Sequence, residues 1–141
     1  MLFRSVVDVR VRLTDGKFHT VDSSDMAFQI AGSLAFREAA EAAGILLLEP
    51  VADLEVIVPE AHTGDVMGAL NQKRARIHGM DVVGAGKQRV RASVPQAEVA
   101  RYAIDLRSMT GGRGSFTMRV SHYEEVPPPI AERIVAAAPK R

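Results

Sequence analysis

Apolar and polar residues alternate at several places along the chain. A period of two residues is typical of a β-strand with one buried face. The first alternation runs over 7–13, and a second short apolar stretch follows over 18–21. Between them stands Asp15-Gly16, a pair that suits a tight turn with positive φ. The pattern therefore predicts a β-hairpin near the start of the chain.

A helix is predicted directly after this hairpin. Residues 22–25 offer several N-caps, and Gly44 stands where a C-terminal glycine belongs. Between them Met26, Ile30 and Leu34 recur at helical spacing. Two strands and one helix are marginal as an isolated structure. We therefore expect residues 1–48 to be the end of a larger domain, and the chain to be a C-terminal fragment.

A second predicted domain, residues 49–141, begins where Pro50 separates an apolar run from a new strand. Its periodicities predict strand, helix, strand, strand, helix and strand, in that order. These elements are predicted over 53–58, 64–74, 76–83, 89–94, 99–106 and 116–121, with a terminal helix over 130–138. A β-α-β-β-α-β order is that of the ferredoxin-like fold, in the α+β class.

Composition excludes several classes of protein. The chain has 141 residues, of which 47% are hydrophobic and 25% charged, as in ordinary globular domains. It has no cysteine, so disulfides, thiolate metal sites and cysteine nucleophiles are excluded. No apolar run approaches the roughly 20 residues of a membrane-spanning helix. The net charge is +1, but the charged residues of 49–72 are all acidic, and 73–119 carries an excess of seven positive charges. That excess is compatible with a face that contacts phosphate.

Motifs for common enzyme chemistry are missing from the sequence. There is no Walker-type phosphate loop, no dinucleotide fingerprint and no nucleophile elbow. The histidines are far apart in sequence, at positions 19, 62, 78 and 122. The sequence therefore predicts no catalytic residue, no metal site and no cofactor for this chain.

The predicted hairpin tip is one candidate for contact with RNA. It carries Gly16, Lys17 and His19. A neutral histidine both donates and accepts hydrogen bonds, so it suits RNA backbone or bases. The alternative is a surface histidine without a role.

The segment 107–114 is the second candidate. A glycine-rich loop here follows the end of a helix and carries Arg107, Thr110 and Arg113. Lys73 and Arg74, in the basic part of the chain, are further candidates for phosphate contact. The alternative is a plain connection between a helix and a strand, with solvated arginines.

Seven long runs, in collinear order, carry a resemblance to a known family. They are 6–9, 15–28, 47–50, 63–71, 102–110, 112–118 and 122–127. These runs resemble the carboxyl-terminal part of elongation factor G, the ribosomal translocation GTPase. The resemblance covers nearly the whole chain. It implies that residues 1–48 are the end of the family's fourth domain, an incomplete ribosomal-S5-like α/β segment, and that 49–141 are its fifth, ferredoxin-like domain.

The resemblance also implies a set of functional residues and partners. His19, with Lys17 and Gly16, falls at the family's tip, which holds the tRNA–mRNA duplex in the decoding region. The fifth domain contacts large-subunit ribosomal RNA, for which Arg107, Thr110, Arg113, Lys73 and Arg74 are the candidates. The resemblance places the protein in the cytoplasm, off the membrane, beside the upstream domains of its parent. GTP and magnesium belong to those domains, so the chain alone is not expected to be an enzyme.

Two other interpretations stay open. The runs 94–101 and 111–114 look closer to an elongation-factor-G-like paralogue, so the parent is either the main translocation factor or a factor for ribosome recycling or protection. Without the resemblance, the same pattern suits a stand-alone ferredoxin-like regulatory module that binds a small ligand or dimerises through its sheet.

Overall fold

The computed structural model of the protein describes residues 5–138. The chain divides into two compact units, Met1–Ile45 and Leu46–Arg141. Leu47, which the pattern placed in the first segment, belongs to the second unit, where its carbonyl accepts a 2.8 Å hydrogen bond from the N–H of Val126. Residues 1–4 and 139–141, at the ends of the two predicted domains, lie outside the described residues.

The first unit contains the helix α1, Asp25–Ala43. The hydroxyl of Ser24 accepts a 3.1 Å hydrogen bond from the N–H of Ala27, which satisfies one of the free donors of the first turn. After the last turn, Gly44 has φ 76°, a conformation that glycine adopts without strain. The predicted helix is confirmed, with a cap residue from the predicted set and the predicted glycine stop.

The two strands predicted for the first unit are wrong. Within the described part of the chain, 7–13 and 18–21 join no β-ladder, and Gly16 is not among the glycines with positive φ. The apolar side chains of the segment are exposed, Val9 at 54% and Leu13 at 90%. Two short strands bury too little surface to offset the entropy lost when the backbone is ordered. Alternation therefore does not produce a sheet here.

The second unit is a four-stranded antiparallel sheet. Its strands are β1, Leu48–Pro59; β2, Arg76–Gly84; β3, Lys87–Pro95; and β4, Ser115–Glu125. Its helices are α2, Thr63–Gln72; α3, Tyr102–Thr110; and α4, Pro128–Ala136. Short 3-10 turns, Glu60–His62 and Gln96–Val99, precede α2 and α3. The strand order is β2-β3-β1-β4, and the predicted ferredoxin-like fold is confirmed.

The core lies between one face of the sheet and the helices α2 and α3. In β1 the even-numbered residues Leu54, Val56 and Val58 are at most 2% exposed, as the alternation predicts. They pack in one cluster with Leu70 of α2 and Leu106 of α3. The same register places the polar odd-numbered residues of β1 on the opposite, open face of the sheet.

Tyr102 closes the core at the start of α3. Its ring meets Phe116 edge to face, with centroids 5.2 Å apart and an interplanar angle of 88°, a favoured aromatic geometry. The side chain is 1% exposed, and its hydroxyl has no hydrogen-bond partner among the described residues. Burial, aided by the nearby charge of Asp105, raises the pKa of Tyr102 to about 12.

Among residues 5–138, no helix is both long enough and apolar enough to cross a membrane.

Candidate nucleic-acid interface

His19 lies in a short turn just before α1. Its N–H donates to the hydroxyl of Ser23 at 2.7 Å, and its carbonyl accepts from the N–H of Ser23 at 3.1 Å. These reciprocal bonds fix the backbone of the turn, while the side chain of His19 is 66% exposed. The turn therefore presents an imidazole to solvent on a defined backbone.

The Nδ1 atom of His19 has two neighbours, one that needs Nδ1 as an acceptor and one that needs it as a donor. It accepts a 3.3 Å hydrogen bond from the N–H of Val21, which needs a neutral ring with the proton on Nε2. It also lies 3.4 Å from the Oδ2 atom of Asp22, a contact that suits a protonated ring. Neither contact uses Nε2, so that atom is available to a partner in both states.

Lys17 and Gly16, the other two predicted tip residues, precede His19 in the same exposed segment. The N–H of Gly16 donates to its neighbour Asp15 at 2.7 Å. A Cβ atom added at Gly16 would meet nothing within 4 Å. Space therefore does not require a glycine at position 16.

The loop between α3 and β4 contains the second group of predicted residues. Gly111 and Gly112 turn the chain with φ 59° and 80°, values that glycine adopts readily. Thr110, at the end of α3, is fully buried, and its hydroxyl donates to the Leu106 carbonyl at 2.8 Å and accepts from the N–H of Gly114 at 3.0 Å. We therefore infer that Thr110 stabilises the loop from inside and does not contact a partner at the surface.

The two arginines of this segment are exposed. Arg107 is in the last turn of α3, and Arg113 is in the loop that follows. The Nη2 atom of Arg113 lies 2.8 Å from Nε2 of His62, and its Nε donates to the Thr110 carbonyl at 3.3 Å. The segment 107–114 thus carries two surface cations, and Arg113 is the one that neighbouring acceptors hold.

Lys73, by contrast, is engaged in contacts inside the second unit. Its ammonium lies 3.0 Å from the Oδ2 atom of Asp105 and donates to the Glu98 carbonyl at 3.1 Å. Its side chain is 25% exposed. The ammonium therefore joins the end of α2 to α3 and to the preceding 3-10 turn.

Arg74 is held more tightly still. Its guanidinium makes a bidentate pair with Glu49, at 2.7 and 3.0 Å, and its Nε donates to Glu98 at 3.0 Å. Hydrogen bonding to Glu49 is the largest of the effects that raise the pKa of Arg74, although burial opposes it. The pairs leave little of this cation for an external phosphate. Sequence reasoning missed them because their acidic partners are about 25 residues away in the chain.

The open face of the sheet carries a polar network that the sequence did not indicate. Ser93 donates from its hydroxyl to Asp53 at 3.1 Å, and the same hydroxyl lies 2.6 Å from Nε2 of His78. With the serine between the histidine and the carboxylate, its proton is directed to Asp53. Nε2 of His78 then donates, so the histidine is not a base for a serine nucleophile.

Glu124 forms a second group on the same sheet. It contacts His122 at 2.8 Å and Arg76 at 2.7 Å. The hydrogen bond from His122 is the main cause that lowers the pKa of Glu124, and the charge of Arg76 adds to it. In the part of the chain that the structure describes, no three histidine or carboxylate side chains are placed to hold a metal ion.

Two family models match the chain, one for each structural unit. Residues 1–44 match "Elongation factor G, domain IV", and residues 46–134 match "Elongation factor G C-terminus". The junction between the two matches lies where the structure divides into its two units, at Ile45 and Leu46.

Individual relatives agree with the family models. An elongation factor G from Aquifex pyrophilus is 58% identical over 130 residues, which are 92% of this chain and 18% of that protein. A crystal structure of a protein from Thermus thermophilus has 49% identity and a TM-score of 0.70, and the match covers 86% of this chain and 18% of that one. The chain thus spans 18% of the length of each relative. Because the two models match both units in sequence order, the chain belongs to the elongation factor G family and corresponds to its domain IV and C-terminal regions.

Proposed function

We propose that the chain is the ribosome-binding C-terminal part of a translational GTPase that moves tRNA and mRNA through the ribosome. The observation that carries this proposal is the match of both units, in order, to domain IV and the C-terminus of one translation-factor family. The family assignment favours this function over a stand-alone ligand-binding module. It also supports a cytoplasmic protein that works beside the other domains of a full-length factor.

In the second unit, the loop after α3 is the proposed contact with ribosomal RNA. Arg107 and Arg113 are exposed there, and arginine binds phosphate through a planar fork of N–H donors. Contacts with phosphate position a protein on RNA and weaken as salt rises. Lys73 and Arg74 are assigned a structural role instead of a phosphate contact. Lys73 is paired with Asp105 of α3, and Arg74 is paired with Glu49 of β1.

In the first unit, His19 is the proposed contact with the tRNA–mRNA duplex. Its Nε2 atom is free of contacts in the turn, and Lys17 adds a positive charge two residues earlier. Gly16 lies in the same exposed segment, beside Lys17. An imidazole suits base edges, and an ammonium two residues away in the same exposed segment suits phosphates.

GTP hydrolysis is proposed to reside elsewhere in the full-length factor. The chain contains no Walker-type phosphate loop, the element whose backbone and lysine hold nucleotide phosphates and whose hydroxyl binds magnesium. GTP and magnesium are therefore assigned to other domains of the factor, and this chain to contact with the ribosome.

Ribosome binding by the 141-residue chain tests the contact proposed for the second unit. We expect sedimentation with bacterial ribosomes at low salt, a loss of binding as salt rises, and weaker binding of Arg107→Ala and Arg113→Ala. Arg133→Ala, an exposed arginine of α4, is the matched control and should bind as the unaltered chain does. Binding that does not respond to salt would contradict the proposal.

A chimaera tests the function of the whole factor. The corresponding segment of a full-length elongation factor G is replaced by this chain, and single-round translocation and GTP hydrolysis are measured. We expect the chimaera to translocate, and His19→Ala to slow translocation while GTP hydrolysis is retained. His78→Ala is the control. A chimaera that hydrolyses GTP on ribosomes without translocating would favour a recycling or protection factor.

A further inference from the structure

The contact between Arg113 and His62 joins two segments that are 51 residues apart in sequence. His62 ends the 3-10 turn after β1, and Arg113 is in the loop between α3 and β4. A guanidinium has donors and no acceptor. The Nε2 atom of His62 must therefore accept the hydrogen bond from Arg113, so the ring is neutral and carries its proton on Nδ1.

The two acceptors around Arg113 occupy one edge of its guanidinium. Nε donates to the Thr110 carbonyl at 3.3 Å, and Nη2 donates to His62 at 2.8 Å. A guanidinium has five N–H donors, so these bonds leave three. The remaining donors are on Nη1 and on the outer side of Nη2, which together form one of the two edges through which a guanidinium binds a phosphate in a bidentate manner.

The backbone below Arg113 is fixed independently of His62. The Thr110 hydroxyl holds the N–H of Gly114 at 3.0 Å, and Thr110 itself is buried. The arginine side chain, in contrast, is long and exposed, so its head would sample many rotamers without a second anchor. Ordering such a side chain at the moment of binding costs affinity.

We propose that His62 is a positioning residue that orders Arg113 for a phosphate of ribosomal RNA. The inference rests on the proposed function of the loop. Through Nε2, His62 holds one edge of the guanidinium and leaves the other edge for the phosphate. The imidazole makes no contact with RNA in this role; it lowers the entropy cost of binding because the arginine is ordered beforehand.

The experiment compares four variants of the 141-residue chain in ribosome binding at low salt. His62→Ala removes the acceptor, and we expect affinity to fall about 2- to 10-fold, the cost of ordering one long side chain. His62→Gln restores an acceptor oxygen and should bind within about 2-fold of the unaltered chain. Arg113→Ala tests the phosphate contact itself. His78→Ala, at a histidine of β2, is the matched control.

A second measurement reports on the guanidinium in the free chain. In ¹⁵N NMR spectra, an anchored Arg113 gives a sharp Nε–H signal with slowed rotation of its Nη groups. We expect His62→Ala to abolish this slow rotation and His62→Gln to restore it. Thermal unfolding should change little in either variant, because an exposed pair contributes little to stability.

The outcomes separate the two proposals. If Arg113→Ala weakens binding and His62→Ala does not, the positioning role is overturned and the proposed function stands. If His62→Gln binds as poorly as His62→Ala, acceptance at Nε2 is not the cause and the positioning role is also overturned. If Arg113→Ala binds as the unaltered chain does, the loop is not the RNA contact and both proposals for it fail.

Discussion

The buried hydroxyl of Thr110 accepts a 3.0 Å hydrogen bond from the backbone N–H of Gly114, and donates at 2.8 Å to the Leu106 carbonyl one turn back in α3. One side chain thus links the last turn of α3 to the loop that carries Arg113. The predicted RNA-contact loop therefore has its geometry set from inside the core.

Removing this hydroxyl should destabilise the second unit. Thr110→Val keeps the shape of the side chain but leaves the part-buried N–H of Gly114 without its partner, which we expect to cost about 1 kcal/mol. Thr110→Ser keeps the hydroxyl and is the control. Urea unfolding measures both free energies. Equal stability of the valine and serine variants would show that the hydrogen bond contributes little.

Gly114 is required by close approach of the loop to the core. A Cβ atom at this position would lie 3.0 Å from Cγ1 of Val58 and 3.1 Å from Leu106, and both neighbours are buried. We expect Gly114→Ala to lower the free energy of unfolding by about 1–3 kcal/mol, as overpacking does.

Gly68 is the matched control for that substitution. It lies within α2, and an added Cβ atom would meet nothing within 4 Å. Gly68→Ala should therefore raise stability by about 0.5–1 kcal/mol, because alanine loses less backbone entropy in a helix. The opposite order of the two alanine variants in urea unfolding would contradict the packing argument.

Arg74 combines a backbone strain with a strong ion pair. It follows α2 with φ 59°, a conformation that favours glycine. Its guanidinium offsets that cost through Glu49 and Glu98. We expect Arg74→Ala to cost about 1.5–3 kcal/mol, the range for hydrogen bonds to charged groups. Arg74→Gly should be less destabilising by about 1 kcal/mol, because glycine removes the strain.

Thermal and urea unfolding of these two variants of Arg74 check the prediction. Glu49→Gln, which keeps the backbone and weakens the pair, is the companion variant. If Arg74→Ala is as stable as Arg74→Gly, the positive φ carries no cost at this position.

Because the pKa of Tyr102 is raised in the folded state, we expect the protein to lose stability at alkaline pH. Its pKa is raised to about 12, mainly by burial, so the unfolded chain loses this proton first as pH rises above about 10. The unfolded state then binds fewer protons than the folded state, and stability falls with pH. The ionisation of Tyr102 leaves the free energy of unfolding unchanged below about pH 10. By about pH 12 it lowers the free energy of unfolding by about 2–3 kcal/mol.

Tyr102→Phe isolates this effect. The buried hydroxyl has no partner among the described residues, so we expect the variant to be as stable as the unaltered chain, or more so, at about pH 7. Its stability should also fall less between about pH 10 and about pH 12. A loss above about 1 kcal/mol at neutral pH would reveal a hydrogen bond that the structure does not contain.

The candidate site was only partly readable from the sequence. The motif around His19 and the loop from Arg107 to Gly114 are contiguous, so the chain itself brings those residues together. His62 and Glu49 gave no local signal. They contact Arg113 and Arg74 only because the folded sheet brings segments that are distant in sequence next to each other.

Local patterns in the chain were enough to specify the elements and the fold of the second unit. Alternation in β1 and the helical spacing around Leu106 reflect burial of one face, and each period needs only local geometry. Tertiary structure decided which cations are paired with carboxylates and which lie at the surface: Arg74 is paired with Glu49, whereas Arg107 and Arg113 are exposed. The same holds for 7–13, which is not a strand, because a strand needs a partner for its backbone groups and periodicity supplies none.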